Sequence, residues 1–469
     1  MPRIATCSGS SLTAIPSTTA TALTATLGPG WLESASARTV RGIRSCYFRE
    51  PWRSRTIVGT MPEPRSTDTV SGLLAEIADV GRDRQRGGYS RPVFSTAERD
   101  LRVWFIAHAE RRDLDVHTDL NGIVWATLGD TSTGDVVVTG SHLDSVPGGG
   151  AFDGPLGVSS ALVAVDHLRA RGITPERPLA IAVFPEEEGS RFGVACLGSR
   201  LLAGAIDPDR ARGLVDEDGA SFAEVAAASG LDPRFIGQDD GTLVSIATFL
   251  ELHVEQGRGL VDLAQPVGIA RSILGHGRWR IIVTGQGNHA GTTLMTDRRD
   301  PMVAAARIVV AVREAALAHP PSRATVGRLT PVPGGTNVIA SSVDLWLDLR
   351  HPDDATTAAV VRRITADADR IVAEEGCDVR ILEESVSGTV HFPTGLRDRL
   401  TGILPGSPLL DTGAGHDAGV LSSRVETAML FVRNPTGVSH SPEEYVEQDD
   451  AEAGATALAD ALQSLLVRG

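Results

Sequence analysis

The stretch VTGSHLDSVPGGGAFDGPLG, residues 138–157, sets His142 and Asp144 in a His-x-Asp pair and Asp153 in an Asp-Gly step, directly after an apolar run. FPEEEGSRF follows a second apolar run with Glu186, Glu187 and Glu188 in succession. ELHVEQG places His253 beyond TLVSIATFLEL, and GVSHSPEEY places His440 beyond ETAMLFVRN. Imidazole and carboxylate are suitable donors to Zn²⁺ or Mn²⁺, and a carboxylate can bridge two ions where neutral imidazole offers one lone pair. Two such ions polarising one water lower its pKa, and a nearby carboxylate can remove the proton and pass it to a leaving nitrogen. Adjacent glutamates suit separate duties, one holding metal while its neighbour faces the water. Asp144, two residues from His142, is better placed to orient that ring. Plainer readings stand beside these: a loop histidine is ordinary polar surface, and PEEEGS makes an acidic first turn for a helix. What favours a metal site is the joint occurrence of these groups at the ends of apolar runs.

The elements that must bring them together read as an α/β chain. TDTVSGLLAEIADV has helical periodicity, and Ser95 with Glu98 resembles a capping box that opens a helix through AERDLRVWFIAHAERR. Short strands follow from HTDLNGIVWATLG to DVVVTG, then a helix over GVSSALVAVDHLRARG ended by Gly172, then the buried strand RPLAIAVF. This order predicts a sheet with its chemistry in loops beyond the strands' carboxyl ends. From residue 270 the order strand (GRWRIIVTGQG), helix, two strands, helix, strand (CDVRILEE) is the β-α-β-β-α-β of a split sandwich. ETAMLFVRN and DAEAGATALADALQSLLV then read as a core strand and a closing helix. The expected division is residues 61–269 and 386–469 as two parts of one catalytic domain, with residues 270–385 inserted between them.

Composition narrows the partners. In 469 residues, 44 Lys and Arg face 59 Asp and Glu, a formal charge of -15 that argues against nonspecific binding to nucleic acid or an anionic membrane. Apolar runs fall short of the roughly 20 residues needed to cross a bilayer. Cysteines at 7, 46, 196 and 377 have no metal or redox spacing, which fits a reducing, cytoplasmic setting. Residues 1–60 stand apart, with seven Arg against two Glu and much Ser, Thr and Ala. They read as an unstructured leader, either a targeting peptide or the product of a start codon placed upstream of Met61.

From about residue 70 onward the chain resembles the M20 metallopeptidase-like amidohydrolases, in the branch that holds allantoate amidohydrolase, N-carbamoyl-L-amino acid hydrolase and β-ureidopropionase. The resemblance rests on GSHLDSVPGGGAFDGPLGV, EEGSRF, ELHVEQG, GNHAGTTLM, GGTNVIASSVDLWLDLR, GAGHDA and GVSHSPEE in that order. It implies a two-domain α/β metallohydrolase with a di-metal catalytic domain and an inserted lid and dimerisation domain. It implies His142, Asp153 and His253 as ligands of one divalent ion, with Asp153 bridging to a second held by Glu188 and His440. Glu187 takes the place of the general base. Glu186 receives no role and is expected to be a solvated loop carboxylate.

In the inserted domain, the resemblance makes His289 the residue that reaches the partner subunit's site in a homodimer and polarises the carbonyl under attack. Asn337 and Arg350 match substrate-holding positions, Arg350 gripping a carboxylate through two parallel hydrogen bonds, and Gln256 matches a residue that orients the substrate amide. The implied reaction is hydrolysis of a linear ureido C–N bond in a small anionic substrate, releasing ammonia and carbon dioxide. FVRNPTGVSHSPEE and GGYSRPVF look more like the allantoate enzymes. N-carbamoyl-L-amino acid hydrolysis is the alternative, an M20 dipeptidase or aminoacylase the next, and a non-enzymatic dimer scaffold the last.

Overall fold

The computed structural model of the chain describes residues 68–237 and 239–467; the leader expected over residues 1–60 lies outside them. The strands begin with β1 (Asp115–Thr118), β2 (Val124–Leu128), β3 (Val136–His142), β4 (Leu179–Phe184), β5 (Ile246–Val254) and β6 (Val267–Ile273). Next come β7 (Gly275–Thr284), β8 (Asn288–His289), β9 (Arg323–Val332), β10 (Val338–Ile339), β11 (Ser342–His351) and β12 (Asp378–Ser387). The last three are β13 (Val390–His391), β14 (Leu409–Thr412) and β15 (Glu426–Val432).

Among the described residues, nine strands form one sheet in the order β1-β2-β4-β3-β5-β15-β6-β13, with β14 also paired to β6. Its centre, β4-β3-β5-β15, is parallel throughout. These strands read as unbroken apolar runs because both faces are covered. Val137, Ile181, Val183, Leu250 and Leu430 enter a core with the helices Pro155–Ala170 and Gln448–Leu466. Their neighbours Val138, Ala182, Phe249 and Met429 enter a second core with Leu202, Leu243 and Leu421. Pro155 at the helix start and Gly172, in the left-handed region, bound the first of those helices.

The four-stranded sheet β12-β7-β11-β9 is antiparallel and packs one face on the helices Pro301–Leu317 and Asp354–Glu375. Its strands alternate instead of running apolar. In β11, Val343, Leu345, Leu347 and Leu349 are buried, while Asp344, Trp346, Asp348 and Arg350 between them are only partly so. The chain changes sheets at Leu274 and again after Ser387, a few residues beyond the 269/270 and 385/386 divisions expected from sequence. The reason is that Val267–Ile273 is a strand of the large sheet that the sequence reading did not single out. At the expected capping box, Ser95 accepts from the Glu98 amide at 3.3 Å, but Glu98 accepts from the Phe94 amide at 3.0 Å and pairs with Arg102 at 2.5 Å. Among the described residues no helix is long and apolar enough to cross a membrane.

Gly140, in the middle of β3, tests how closely β3 and β4 must approach. A Cβ there would stand 1.9 Å from the carbonyl oxygen of Ala182, and its φ is +152°. Gly140→Ala is expected to destabilise the fold by about 3 kcal/mol, read as a lower midpoint of urea unfolding. An unchanged midpoint would refute the registry of β3 on β4.

Candidate functional site

The parallel strands β4, β3, β5 and β15 are neighbours, so their carboxyl ends open on one edge of the sheet. His142 ends β3 opposite Phe184, the last residue of β4, and His253 on β5 lies opposite Phe431 of β15. PEEEGS follows β4 directly, and the chain after β15 carries His440. Residues far apart in sequence therefore meet because the strands before them are aligned.

His142 Nδ1 bonds to the Asp144 carbonyl and His253 Nδ1 to the Val254 carbonyl, each at 3.0 Å. Both rings thus turn Nε2 toward Asp153, whose Oδ1 lies 3.4 Å from His142 Nε2 and 3.2 Å from His253 Nε2. The other oxygen, Oδ2, lies 3.5 Å from His440 Nε2, which is 3.4 Å from Glu188 Oε2. One carboxylate is shared by two groups, His142–Asp153–His253 and Asp153–Glu188–His440, each with donor atoms within 4.8 Å of one another. The first is sealed; the second opens outward through the His440 side chain, 49% exposed. Gly154, at φ +83°, makes this possible, since a Cβ there would come within 2.6 Å of the His142 ring.

Asp144 stands beside His142 in two ways: its main-chain carbonyl bonds to Nδ1, and its carboxylate Oδ1 lies 3.7 Å from the same atom. The carboxylate also accepts from the Glu187 and Glu188 amides at 3.2 Å each. Glu186 corrects an expectation. It is fully buried, with left-handed backbone, and accepts from the Arg191 and Phe192 amides at 3.0 and 2.6 Å, folding the loop behind the site. Burial, then Asp144, pushes its carboxyl up to about 8. Glu187 lies with Oε2 3.7 Å from His142 Nε2, and its Oε1 accepts from the Cys196 thiol at 3.4 Å. Burial raises its carboxyl well above the ordinary range, and Asp417, Glu188 and Glu251 reinforce this against His142. Burial opposes ionisation of Asp153 as well, yet the bonds and charges of His142 and His253 hold its carboxyl well below the usual value.

Gln256 stands within the site, its Nε2 donating to Asp153 Oδ2 at 2.8 Å and lying 3.2 Å from His440 Nε2. The small-domain residues do not join it. His289 is exposed on the ribbon of β8 and β10, where the Ala290 amide bonds to the Asn337 carbonyl at 3.0 Å. Arg350 pairs with Asp348 at 2.8 Å and donates to the Gly413 carbonyl.

Two residues to which the sequence reading gave no role stand at the centre. His416, from GAGHDA, is buried with its ring centroid 4.4 Å from that of His253, and neither ring nitrogen has a hydrogen-bond partner among the described residues. Burial and then His253 keep it neutral, well below the usual imidazole range. Glu444 accepts from the Phe152 and Asp153 amides at 3.0 and 2.9 Å and from Ser439 at 2.9 Å. The signal for both lay in motifs already in view, GAGHDA and SPEE, but neither spacing distinguishes a ligand from a support.

The donor set fits divalent metal. Asp144, Asp153, Glu186, Glu187, Glu251, Asp417 and Glu444 are all buried at this edge, and among the described residues the groups paired with Asp153 as cations are imidazoles. Such crowding of acceptors in low dielectric is costly unless cations occupy it.

Comparison with known proteins agrees with this geometry. The family described as Peptidase family M20/M25/M40 matches residues 138–464. An N-carbamoyl-L-amino acid amidohydrolase of Geobacillus stearothermophilus is 35% identical over 392 residues, covering 82% of this chain and 95% of that protein. An allantoate amidohydrolase of Escherichia coli (strain K12) is 32% identical over 413 residues, covering 84% and 97%. The crystal structure of an amidase of the hydantoinase/carbamoylase family from Burkholderia multivorans matches with a TM-score of 0.74 at 31% identity, covering 85% of this chain and 97% of that one.

Because Asp153 serves both groups, Asp153→Ala is expected to empty both, and His440→Ala only the second. After dialysis against Mn²⁺ or Zn²⁺, elemental analysis should find almost no metal in the first variant and about half the wild-type content in the second. Equal loss in both would refute two groups with a shared carboxylate.

Proposed function

Since the chain belongs to Peptidase family M20/M25/M40 and is a hydrolase acting on C–N bonds, we propose that it cleaves the ureido C–N bond of a small anionic ureido acid, allantoate first among them. The observation that carries the reading is the two-sided use of Asp153 beside the buried carboxyl of Glu187, whose Oε2 lies 3.7 Å from His142 Nε2. His142, Asp153 and His253 would hold one divalent ion and Asp153, Glu188 and His440 a second, Mn²⁺ and Zn²⁺ both suiting these donors. Bound there, the ions would supply Lewis-acid polarisation of the carbonyl and acidify water.

The chain's own residues do the remaining work. Glu187, fixed by the Cys196 thiol on one oxygen, takes the proton from the attacking water with the other and returns it to the departing nitrogen. Gln256, now on Asp153, has an amide that can exchange that contact for the substrate. Arg350 exchanges Asp348 for the substrate carboxylate. His289 and Asn337, exposed together on one ribbon, act in the site of a second copy, where His289 donates to the developing oxyanion. A dimer through the small domain has physical support. Val303, Val310 and Leu317 are exposed at seven-residue spacing along one side of the helix Pro301–Leu317, and Leu294 and Met295 are exposed beside the ribbon.

Opposite Arg350 on the same face stand His276 and Arg323, whose ring and guanidinium can bond a second ureido group and offer an apolar substituent nothing, which favours allantoate over apolar carbamoyl amino acids. The second reading, an N-carbamoyl-L-amino acid, is supported by the 35% identity to such an enzyme. Metal-loaded protein assayed with allantoate and several N-carbamoyl-L-amino acids, ammonia and organic product both measured, is expected to turn over allantoate fastest. Turnover of carbamoyl amino acids alone would replace the substrate, and turnover of neither would remove the reading. Glu187→Gln is expected to keep its metal while kcat falls by about 10²–10⁴; near-normal kcat would remove Glu187 from proton transfer.

A further inference from the structure

On the helix-free face of the small-domain sheet, three basic residues stand in a row across adjacent strands. His276 of β7 is directly opposite Arg350 of β11, and Arg350 directly opposite Arg323 of β9. Side chains opposite each other in an antiparallel pair share a face, and like charges so placed repel. Among the described residues the carboxylate paired with Arg350 is Asp348, already divided between Arg350 at 2.8 Å and Arg278 at 3.4 Å. Arg323 has no acidic partner among the described residues, and it is exposed.

Both arginines face the same piece of the large domain. Arg350 donates to the Gly413 carbonyl, and a Cβ on Gly413 would stand 2.7 Å from Arg323 Nη1. Gly413 is three residues before His416, hence within about 10 Å of it along the chain, and His416 touches His253. His276 is pushed below the usual imidazole range by burial, then by Arg350, against Asp348, with Arg278 and Arg200 adding to the lowering.

We propose that Arg323 and Arg350 form a two-cation subsite against the 412–416 loop, which among N-carbamoyl-L-amino acids selects those carrying a second carboxylate on the α-substituent. The proposal rests on the ureido-hydrolase reading and narrows it: Arg350 takes the α-carboxylate and Arg323 the second acidic group. The second ureido group of allantoate would offer Arg323 a carbonyl oxygen but no charge, and an apolar substituent would offer nothing. Arg323 is thus a specificity residue, remote from the bond that breaks.

The test uses an isosteric pair, N-carbamoyl-L-aspartate and N-carbamoyl-L-asparagine, with metal-loaded protein. Wild type is expected to favour the aspartate compound at least tenfold in kcat/KM. Arg323→Gln should erase that preference by slowing the aspartate compound alone, and Arg323→Lys should keep part of it. A wild type that favours the asparagine compound, or an Arg323→Gln variant that loses both equally, overturns the subsite. Calorimetric binding of N-carbamoyl-L-aspartate to metal-free protein separates this from the parent reading. If wild type hydrolyses no ureido acid, that reading falls, while at least fivefold weaker binding to Arg323→Gln would still support the subsite and equal binding would end it.

Discussion

The structure depends on a concentration of buried carboxylates that the chain itself does not neutralise. Asp153 and Glu188 bring oxygens within 4.8 Å of each other, with Glu187 and Asp144 close behind. Two unit charges at such a distance repel by roughly 3–4 kcal/mol at the effective dielectric of a protein site. Imidazoles relieve part of this, since the bonds and charges of His142 and His253 hold the Asp153 carboxyl well below its usual range. Divalent cations relieve it far more completely, which is why the same geometry reads as a binding site.

Holding those groups in place takes a second layer of hydrogen bonds, and that layer ties sequence ends together. Glu444 fixes the Asp153 loop to the segment carrying His440, through two amides and Ser439, whose hydroxyl also donates to Asp153 at 3.2 Å. Asp144 joins the His142 loop to Glu187 and Glu188, and Glu186 closes the turn behind them. Each tie uses a buried carboxylate as a multiple acceptor of main-chain N–H, an arrangement that loses little entropy and resists relaxation when a ligand binds.

The sequence revealed the strand ends and the residues at them because parallel buried strands leave an unmistakable apolar run, and chemistry follows at the carboxyl end. It revealed the small domain because strands with one helix-covered face alternate. It did not reveal β6, whose VGIARSI mixes the two patterns, since the strand is covered on both faces yet carries exposed Arg271 toward the sheet's edge. Nor could it tell Glu186 from a solvated loop carboxylate. The three glutamates are identical in type, and what separates them is backbone conformation: the left-handed residue at 186 turns its side chain into the protein. His416 and Glu444 were hidden for a related reason, because a histidine that packs edge-on against a ligand and a glutamate that holds a loop have no spacing of their own. His289 and Asn337 stay apart from the site, exposed on the ribbon of β8 and β10.

The most direct test of this account is anomalous diffraction from crystals grown with Mn²⁺. Two peaks are expected astride Asp153, one against His142 and His253 and one against Glu188 and His440. A single peak without contact to Asp153, or density held by Glu251 and His416 instead, would contradict it.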